Sequence, residues 1–353
     1  MKRILGLPAD DPARAAHFLV EQGFDSLVVG MGTPPEIVEQ AVEAGLAVWG
    51  YRGAFSVRDA AGNQVPTLLA QDVDGVARTW FGSGCPNQRP LRDAHLAAVE
   101  RLVRSGLYAG FMLDGIRFAS PNAGEAYFTC FCPVCRAKAV LLGFDFERMR
   151  RDVSALRDWC RAGAMAAPLA PSAEALPHAH RRWLGVDDWL CFRAACVLEH
   201  VREVRQAIDS WRSGSRTPFG LGAYLFTPAF APLVGQDYGD LAPLLDVLSP
   251  MIYRTNTDGD ASLDSEWGAL ANFHLLPAHG EFSVADVATE VARARALLSS
   301  APVALVPILR LTDDLIAETT HAALASGATG LDYFIFRDSD EAFVRRASDA
   351  WSV

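Results

Sequence analysis

The chain has 353 residues, of which 50% are hydrophobic and 21% are charged. This composition predicts a folded globular protein and excludes wholesale disorder. The formal net charge of -10 and the sequence pI near 5.3 argue against the basic face that nucleic acids and anionic membranes bind, so we expect neither partner.

Apolar, strand-like segments alternate with amphipathic helical segments along the whole chain. Asp11 before Pro12 is typical of a helix start, and Thr33 with Glu36 has the spacing of a capping box. Eight strand–helix units in series predict an α/β fold, namely a (β/α)₈ TIM barrel. The predicted strands are residues 3–7, 26–29, 47–51, 111–113, 219–224, 247–253, 303–309 and 330–336.

Two connections are longer than compact domains usually contain, so we predict long insertions after strands 3 and 4. The first follows residue 51 and is polar and glycine-bearing. The second, residues 119–217, has helical patterns such as 189–211 but no series of strands of its own. We therefore predict one barrel domain over residues 1–353, with a helical insertion at 119–217.

The fourth predicted strand ends in a carboxylate, within the segment GFMLDGIRF. Asp114 follows the apolar run directly, and in a barrel of parallel strands that end carries the catalytic groups. We interpret Asp114 as a catalytic carboxylate, with Arg117 able to orient it or an acidic ligand through its planar fork. The alternative is that Asp114 and Gly115 only turn the chain.

If Asp114 belongs to a glycosidase, a second carboxyl group is needed, because cleavage of a glycosidic bond usually requires two. Asp237 is our first candidate for the second one, and the neighbouring Gln236 is of a type that binds sugar hydroxyls. The alternative for Asp237 is a helix cap. Other carboxylates that we expect near the same end of the barrel are Glu125, Asp258, Asp260 and Glu281.

Four aromatic residues fall in or beside the loops that follow the strands, namely Trp80, Tyr224, Tyr253 and Trp267. Aromatic rings stack on the apolar faces of sugars, and a tyrosine hydroxyl can bind a sugar hydroxyl. We therefore predict that they bind substrate, although core packing is the better explanation for each of them when it is taken alone.

Three cysteines stand close together after the fourth strand, in the order Cys130-x-Cys132-x-x-Cys135. This spacing resembles a zinc knuckle, in which a tight turn brings thiolates to one tetrahedral ion. Cys85 is the candidate for a fourth ligand, because its loop leaves the same end of the neighbouring strand. A structural zinc site is one interpretation, and buried inert thiols or a disulfide are the others.

Other features limit the chemistry and the location. Lys2 and Lys138 are the only lysines and no predicted strand supplies a lysine, which argues against a Schiff-base aldolase. The sequence contains no P-loop and no Rossmann fingerprint, so we predict no organic cofactor. Asp10 and Asp11 interrupt the N-terminal segment before an apolar signal core could form, which predicts a cytoplasmic protein.

The sequence resembles glycosyl-hydrolase-like TIM-barrel proteins of bacteria. The resemblance lies in Cys85-Pro86-Asn87 and in the segments LDGIRF, CFCPVC, WLCFR, VGQDY and SPMIY, in that order. It implies a (β/α)₈ fold and action on glycosides, with Asp114 as nucleophile where a strand-four aspartate has that role. The chain departs from the commoner pattern because predicted strand seven ends without a carboxylate.

We therefore predict a glycoside hydrolase that uses Asp114 and Asp237 at the mouth of the barrel and takes a carbohydrate or glycoside as its ligand. The alternative is a carbohydrate-binding barrel that has lost its second carboxylate. A barrel lyase or isomerase with Asp114 as its base is a third interpretation.

Overall fold

The computed structural model describes residues 1–58, 62–162, 167–213, 218–255, 261–298 and 301–351. Eight parallel strands form a closed barrel in which each pairs with its neighbours in chain order, and β8 returns to β1. The predicted (β/α)₈ barrel is thereby confirmed. The strands are β1 (Lys2–Leu5), β2 (Ser26–Gly30), β3 (Ala47–Gly53), β4 (Gly110–Asp114), β5 (Gly220–Phe226), β6 (Val247–Met251), β7 (in two segments, Ala304–Leu305 and Ile308–Arg310) and β8 (Leu331–Phe334).

Helices connect the strands on the outside of the barrel. They are α1 (Pro12–Glu21), α2 (Pro35–Glu43), α3 (Arg89–Ser105), α4 (Pro133–Leu141), α5 (Phe146–Ala162), α6 (Leu176–His180), α7 (Leu184–Trp211), α8 (Tyr238–Leu241), α9 (Leu263–Asn272), α10 (Val284–Leu298), α11 (Ile316–Ala325) and α12 (Glu341–Asp349). In the described part of the chain, no helix is both long and apolar enough to cross a bilayer.

Two helix starts test the capping patterns. Asp11 caps α1 as predicted, since its carboxylate accepts a hydrogen bond of 3.1 Å from the Arg14 amide. The capping box at Thr33 is wrong, because α2 begins at Pro35 with Pro34 in the capping position and no side-chain cap. Two consecutive prolines fix the backbone entry into this helix without a side-chain acceptor.

The two long connections lie between β3 and β4 and between β4 and β5. The first contains a small antiparallel hairpin of Ala70–Gln71 with Ala77–Arg78. The second contains α4 to α7, and α7 packs against both α3 and α5. That residues 119–217 are an insertion within one domain stays a prediction.

Side chains from several strands fill the barrel interior near the amino ends of the strands, and the largest of them is Trp49. The indole of Trp49 lies against Gly110 and Gly220, where an added Cβ would approach ring carbons to 2.5 and 2.3 Å. Any larger residue at these two strand positions would therefore displace the ring. These side chains leave the opposite, carboxyl end of the strands as the open end of the barrel.

Candidate functional site

A cavity of about 710 Å³ opens at the carboxyl ends of the strands, and we call it the mouth cavity. Every strand contributes to its wall, which is where (β/α)₈ enzymes carry their active sites. Its described lining comprises Leu5, Gly6, Leu7, Ala9, Val28, Val29, Gly30, Thr33, Pro34, Ile37, Tyr51, Phe81, Asp114, Gly115, Arg117, Tyr224, Met251, Tyr253, Ala261, Ile308, Arg310, Phe334 and Ile335.

Asp114 is the last residue of β4 and lines the mouth cavity. Its backbone carbonyl accepts a hydrogen bond of 2.8 Å from the Ala54 amide, and Gly115 then turns the chain with a φ of 60°. Burial raises the pKa of the Asp114 carboxyl, whereas Arg117 and the Gly115 amide act in the opposite direction. A carboxyl with a raised pKa keeps its proton to higher pH, as a general acid requires.

Arg117 lies in the wall beside Asp114 and is almost fully buried. Its guanidinium lies 4.6 Å from the centre of the Phe226 ring and 5.9 Å from that of Phe81, and it donates a hydrogen bond of 3.2 Å to the Phe118 carbonyl. The two aromatic rings fix the plane of the guanidinium, so Arg117 presents a positive charge to Asp114 in a defined position.

A buried polar layer lies beneath the mouth cavity and joins β1, β5, β6 and β8. Arg3 forms an ion pair of 2.9 Å with Asp332 and donates a second hydrogen bond of 2.9 Å to Ser249. The hydroxyl of Tyr224 also donates to Asp332, at 2.9 Å. Tyr224 therefore links the cavity wall to this layer.

Two tyrosines in the cavity wall are neutral hydrogen-bonding groups. Burial is the main cause that raises the pKa of Tyr224 and of Tyr51, and the charge of Asp114 adds to both shifts. A phenolate is therefore disfavoured at either position, which argues against a tyrosine nucleophile. The phenol of Tyr253, also in the wall, stacks parallel to the ring of Phe334 at 5.5 Å between ring centres.

Backbone strain is concentrated at the mouth cavity. Among the described residues, five that are not glycine have a positive φ, and three of them line the cavity: Phe81 at 49°, Ala261 at 72° and Ile335 at 57°. A bulky or β-branched side chain rarely adopts this conformation. Such strain clusters at functional sites, and this observation marks the cavity independently of its position in the barrel.

The structure brings four of the residues that we predicted from sequence into the mouth cavity, Asp114, Arg117, Tyr224 and Tyr253. It does not bring Asp237 or Gln236 there. Asp237 is exposed and caps α8, accepting a hydrogen bond from the Asp240 amide at 3.0 Å. Gln236 is buried and ties the Phe226 amide to the Ile116 carbonyl, at 2.8 and 3.2 Å. The contacts of Asp237 and Gln236 thus stabilise a helix start and connect two backbone segments.

The two predicted tryptophans also lie outside the cavity lining. Trp80 is buried, whereas the next residue, Phe81, is 60% exposed at the cavity rim. Trp267 packs among Phe230, His279 and Phe282, and its indole donates to the Pro277 carbonyl at 2.8 Å. Both tryptophans therefore match the alternative interpretation that we gave for these aromatic residues, which is core packing.

The other carboxylates proposed as partners of Asp114 are also accounted for. Glu125 forms an ion pair with Arg161 at 2.8 Å on the surface. Glu281 is exposed and is not part of the described cavity lining. Asp258 and Asp260 lie outside the described residues. Asp114 is therefore the only carboxylate among the described residues that line the mouth cavity.

Several wall residues were not predicted from sequence, chiefly Tyr51, Phe81, Arg310 and Phe334. A signal existed for two of them. Tyr51 ends the predicted third strand, as Tyr224 ends the fifth, and Arg310 follows the seventh directly. The exposure of Phe81 instead of Trp80 depends on the local turn, in which the Ser83 amide donates to the Trp80 carbonyl at 2.7 Å.

A second cluster lies between the two long connections and consists of the thiols of Cys85, Cys132 and Cys135. Their sulfur atoms lie within 4.8 Å of one another and all three residues are buried. The Sγ atoms of Cys85 and Cys135 are 3.3 Å apart, and Asn87 donates a hydrogen bond of 3.3 Å to Cys135. Contacts with Cys135 and Cys85 lower the pKa of Cys132, whereas contacts with Cys132 raise the pKa of Cys85 and of Cys135, so the cluster favours a single thiolate, the form that binds metals, at Cys132. Three buried sulfur donors at this spacing could hold one metal ion.

Cys130 is not part of this cluster, which contains three of the four cysteines that we predicted as metal ligands. Cys130 has a φ of 97°, and its Sγ lies 3.3 Å from Nε of Arg193. Arg193 is fully buried in α7, stacks on Trp189 at 3.6 Å and donates to the Leu233 carbonyl at 2.9 Å. The positive φ and the contact with the buried guanidinium set this thiol apart from the other three, which the sequence spacing does not indicate.

Comparisons with known proteins give structural similarity only. No protein-family model matches the sequence, and none of the curated proteins matches it. A β-galactosidase from the Antarctic haloarchaeon Halorubrum lacusprofundi superimposes with a TM-score of 0.61 at 15% identity, over 99% of this chain and 58% of that one. The glycoside hydrolase domain of PgaB from Bordetella bronchiseptica gives a TM-score of 0.57 at 10% identity, over 99% of this chain and 96% of that one.

A class V chitinase from Pseudomonas fluorescens gives a TM-score of 0.50 at 10% identity, over 98% of this chain and 99% of that one. This chain spans less than two thirds of the length of the β-galactosidases that it resembles. At these identities the similarities show the fold, which is the closed barrel of known glycoside hydrolases.

Proposed function

We propose that this protein is a glycoside hydrolase and that Asp114 is its essential carboxyl group. The observation that carries the proposal is the position of Asp114, at the carboxyl end of β4 in the wall of a cavity to which all eight strands contribute. The shared fold with a β-galactosidase and with the PgaB hydrolase domain supports it.

The raised pKa of Asp114 favours the role of general acid over the role of nucleophile that the resemblance implies. A general acid protonates the oxygen of the leaving group, and this step requires the protonated carboxyl. Tyr51 and Tyr224 are neutral phenols in the same wall. Tyr51 is a donor for a sugar hydroxyl, and Tyr224, whose own proton is donated to Asp332, is an acceptor for one. Arg117 stabilises the carboxylate that remains after the proton has been transferred.

The test is an assay with 4-nitrophenyl glycosides of both anomeric configurations, beginning with the β-galactoside. We expect the wild type to turn over these substrates, whose leaving group departs as a stable phenolate without protonation. On the matching methyl glycosides, whose leaving oxygen must be protonated, we expect a loss of about 10²- to 10⁴-fold in kcat/KM for Asp114→Asn, the usual contribution of a general acid or base. Asp237→Asn is the matched control, because asparagine caps helices as well as aspartate does, and we expect it to behave like the wild type. Equal activity of Asp114→Asn and the wild type on the methyl glycosides would refute the proposal.

The second candidate function is a carbohydrate-binding protein without catalytic activity. It is favoured by the observation that Asp114 is the only carboxylate in the described cavity lining, whereas hydrolysis usually requires two. The variants Asp258→Asn and Asp260→Asn test the sequence-based candidates for the second carboxyl. If the wild type binds the glycosides without turnover, the binding protein is the correct assignment.

We also propose that Cys85, Cys132 and Cys135 hold a structural zinc ion. Thiolates are the ligands that structural zinc sites use, and an N–H donor such as that of Asn87 is typical of the groups that surround such ligands. Elemental analysis of the purified protein should give about one zinc per chain, and Cys85→Ser should lower both the zinc content and the melting temperature. Cys191→Ser, at the exposed thiol, is the control. A wild type without bound metal would refute the site.

A further inference from the structure

The wall of the mouth cavity has two chemically different sides. Asp114 of β4 and Tyr224 of β5 are on one side, next to Arg117. In the closed strand order β8 and β1 lie four strands away, so they form the opposite side. That side continues into the loop after β2 and the first turn of α2. Its exposed or partly exposed residues are mainly aliphatic and include Leu7, Pro34 and Ile37, whereas Thr33 adds one hydroxyl and Phe334 one aromatic ring.

An aliphatic wall is a poor surface for a sugar. Every face of a pyranose is edged with hydroxyl groups, and a hydroxyl that leaves water for an apolar wall without a new hydrogen-bond partner costs free energy. An alkyl or aryl group gains free energy at the same wall, in proportion to the apolar area that it covers. The cavity volume of about 710 Å³ falls in the range of sites for small amphipathic ligands, about 300–1,000 Å³.

We propose that the mouth cavity takes a glycoside with an apolar aglycone, with the sugar beside Asp114 and the aglycone against Leu7, Pro34 and Ile37. This inference rests on the proposed function for the identity of the sugar side. It adds the chemical class of the leaving group, an alkyl or aryl group in place of a second sugar. The rim residue Phe81, 60% exposed and beside Arg117, offers an aromatic face at the entrance.

The test is a titration of the Asp114→Asn protein with a series of n-alkyl β-galactopyranosides, from methyl to octyl, followed by calorimetry below the critical micelle concentration. This variant prevents turnover during the measurement. We expect the affinity to rise about two- to fourfold for each methylene added, as expected for CH₂ groups that become buried. An affinity that does not change with chain length, including no binding across the series, would overturn the inference.

A variant of the wall locates the effect. Ile37→Asn, in the Asp114→Asn background, should flatten the dependence on chain length and leave the affinity for the methyl galactoside unchanged. Val42→Asn is the matched control, because it makes the same kind of change in the same helix at a residue that is 42% exposed and not in the cavity lining. If Ile37→Asn fails to fold, Leu7→Asn makes the same test from the loop after β1. A dependence on chain length that survives in the folded wall variant overturns the assignment of this wall.

The outcomes separate this inference from the proposed function. If affinity rises with chain length but the wild type hydrolyses none of the nitrophenyl glycosides, the hydrolase proposal fails and the ligand class stands. If the wild type hydrolyses these glycosides but affinity does not depend on chain length, the ligand class fails and the hydrolase proposal stands.

Discussion

Asp114 and Asp332 are two aspartates inside one barrel, and burial raises the pKa of both. Asp332, in the layer beneath the cavity, is fully buried and is held by Arg3 and by the hydroxyl of Tyr224. Asp114 is partly exposed to the mouth cavity beside a single guanidinium, that of Arg117. A buried carboxylate surrounded by protein partners supports the fold, whereas one that faces a cavity is available to a ligand. The comparison therefore predicts that removal of the Asp332 carboxylate mainly lowers stability, whereas removal of the Asp114 carboxylate mainly lowers activity.

The largest effect on stability should come from Asp332→Asn. This change leaves Arg3 buried without its counter-charge, and breaking a buried ion pair in this way usually costs about 3–5 kcal/mol in the free energy of unfolding. Denaturant unfolding measures the loss. Tyr224→Phe is the control, because it keeps the ion pair and removes one hydrogen bond, worth about 0.5–1.5 kcal/mol. A loss for Asp332→Asn no larger than for Tyr224→Phe would break the comparison.

The second effect concerns pH and Asp114. A carboxyl whose pKa is raised in the folded state contributes stability below its unfolded pKa, and this contribution is lost as the pH rises through the folded value. We therefore expect the free energy of unfolding of the wild type to fall relative to that of Asp114→Asn as the pH rises above the ordinary aspartate value of 3.8. Unfolding curves between pH 3.5 and about 7 measure this difference.

The activity of the wild type should follow the same ionisation. If protonated Asp114 is the general acid, kcat/KM falls about tenfold for each pH unit above its pKa. Stability that rises with pH relative to Asp114→Asn would show that the pKa of Asp114 is lowered, and would contradict its role as a general acid.

The smallest effect tests the strain at the cavity rim. Glycine adopts a positive φ without cost, whereas other residues pay about 1–2 kcal/mol, so Phe81→Gly should be more stable than Phe81→Ala by about 1 kcal/mol. Both variants should bind 4-nitrophenyl β-galactoside about two- to tenfold more weakly, through the loss of a ring worth about 0.5–1.5 kcal/mol. Unchanged affinity in both would show that the strained rim has no role in binding.

The fold could be predicted from the sequence because each strand is a short apolar run with clear limits. The run before Asp114 is an example: the strand predicted at residues 111–113 is β4, which extends one residue further at each end, Gly110–Asp114. Capping patterns were less reliable. Asp11 caps its helix, but the start of α2 is set by Pro34 and Pro35 and not by Thr33.

The site could be predicted only where a residue ends a strand. The direction of such a side chain follows from the barrel itself, which explains why Asp114 and Tyr224 lie in the cavity wall. Loop side chains have no such constraint. The turn after residue 79 exposes Phe81 and buries Trp80, and the loop after β5 uses Asp237 as a helix cap. These outcomes depend on tertiary contacts that residue spacing does not contain.

The central claim, that Asp114 faces the bond to be cleaved in a glycoside, is tested most directly by a crystal structure of the Asp114→Asn variant with octyl β-galactopyranoside. We predict that the glycosidic oxygen lies within hydrogen-bond reach of the side chain at position 114, about 2.6–3.2 Å, directly or through one water. We also predict that the alkyl chain lies along Leu7 and Ile37. A galactose ring bound outside the mouth cavity, or bound inside it with the glycosidic oxygen turned away from position 114, would contradict the claim.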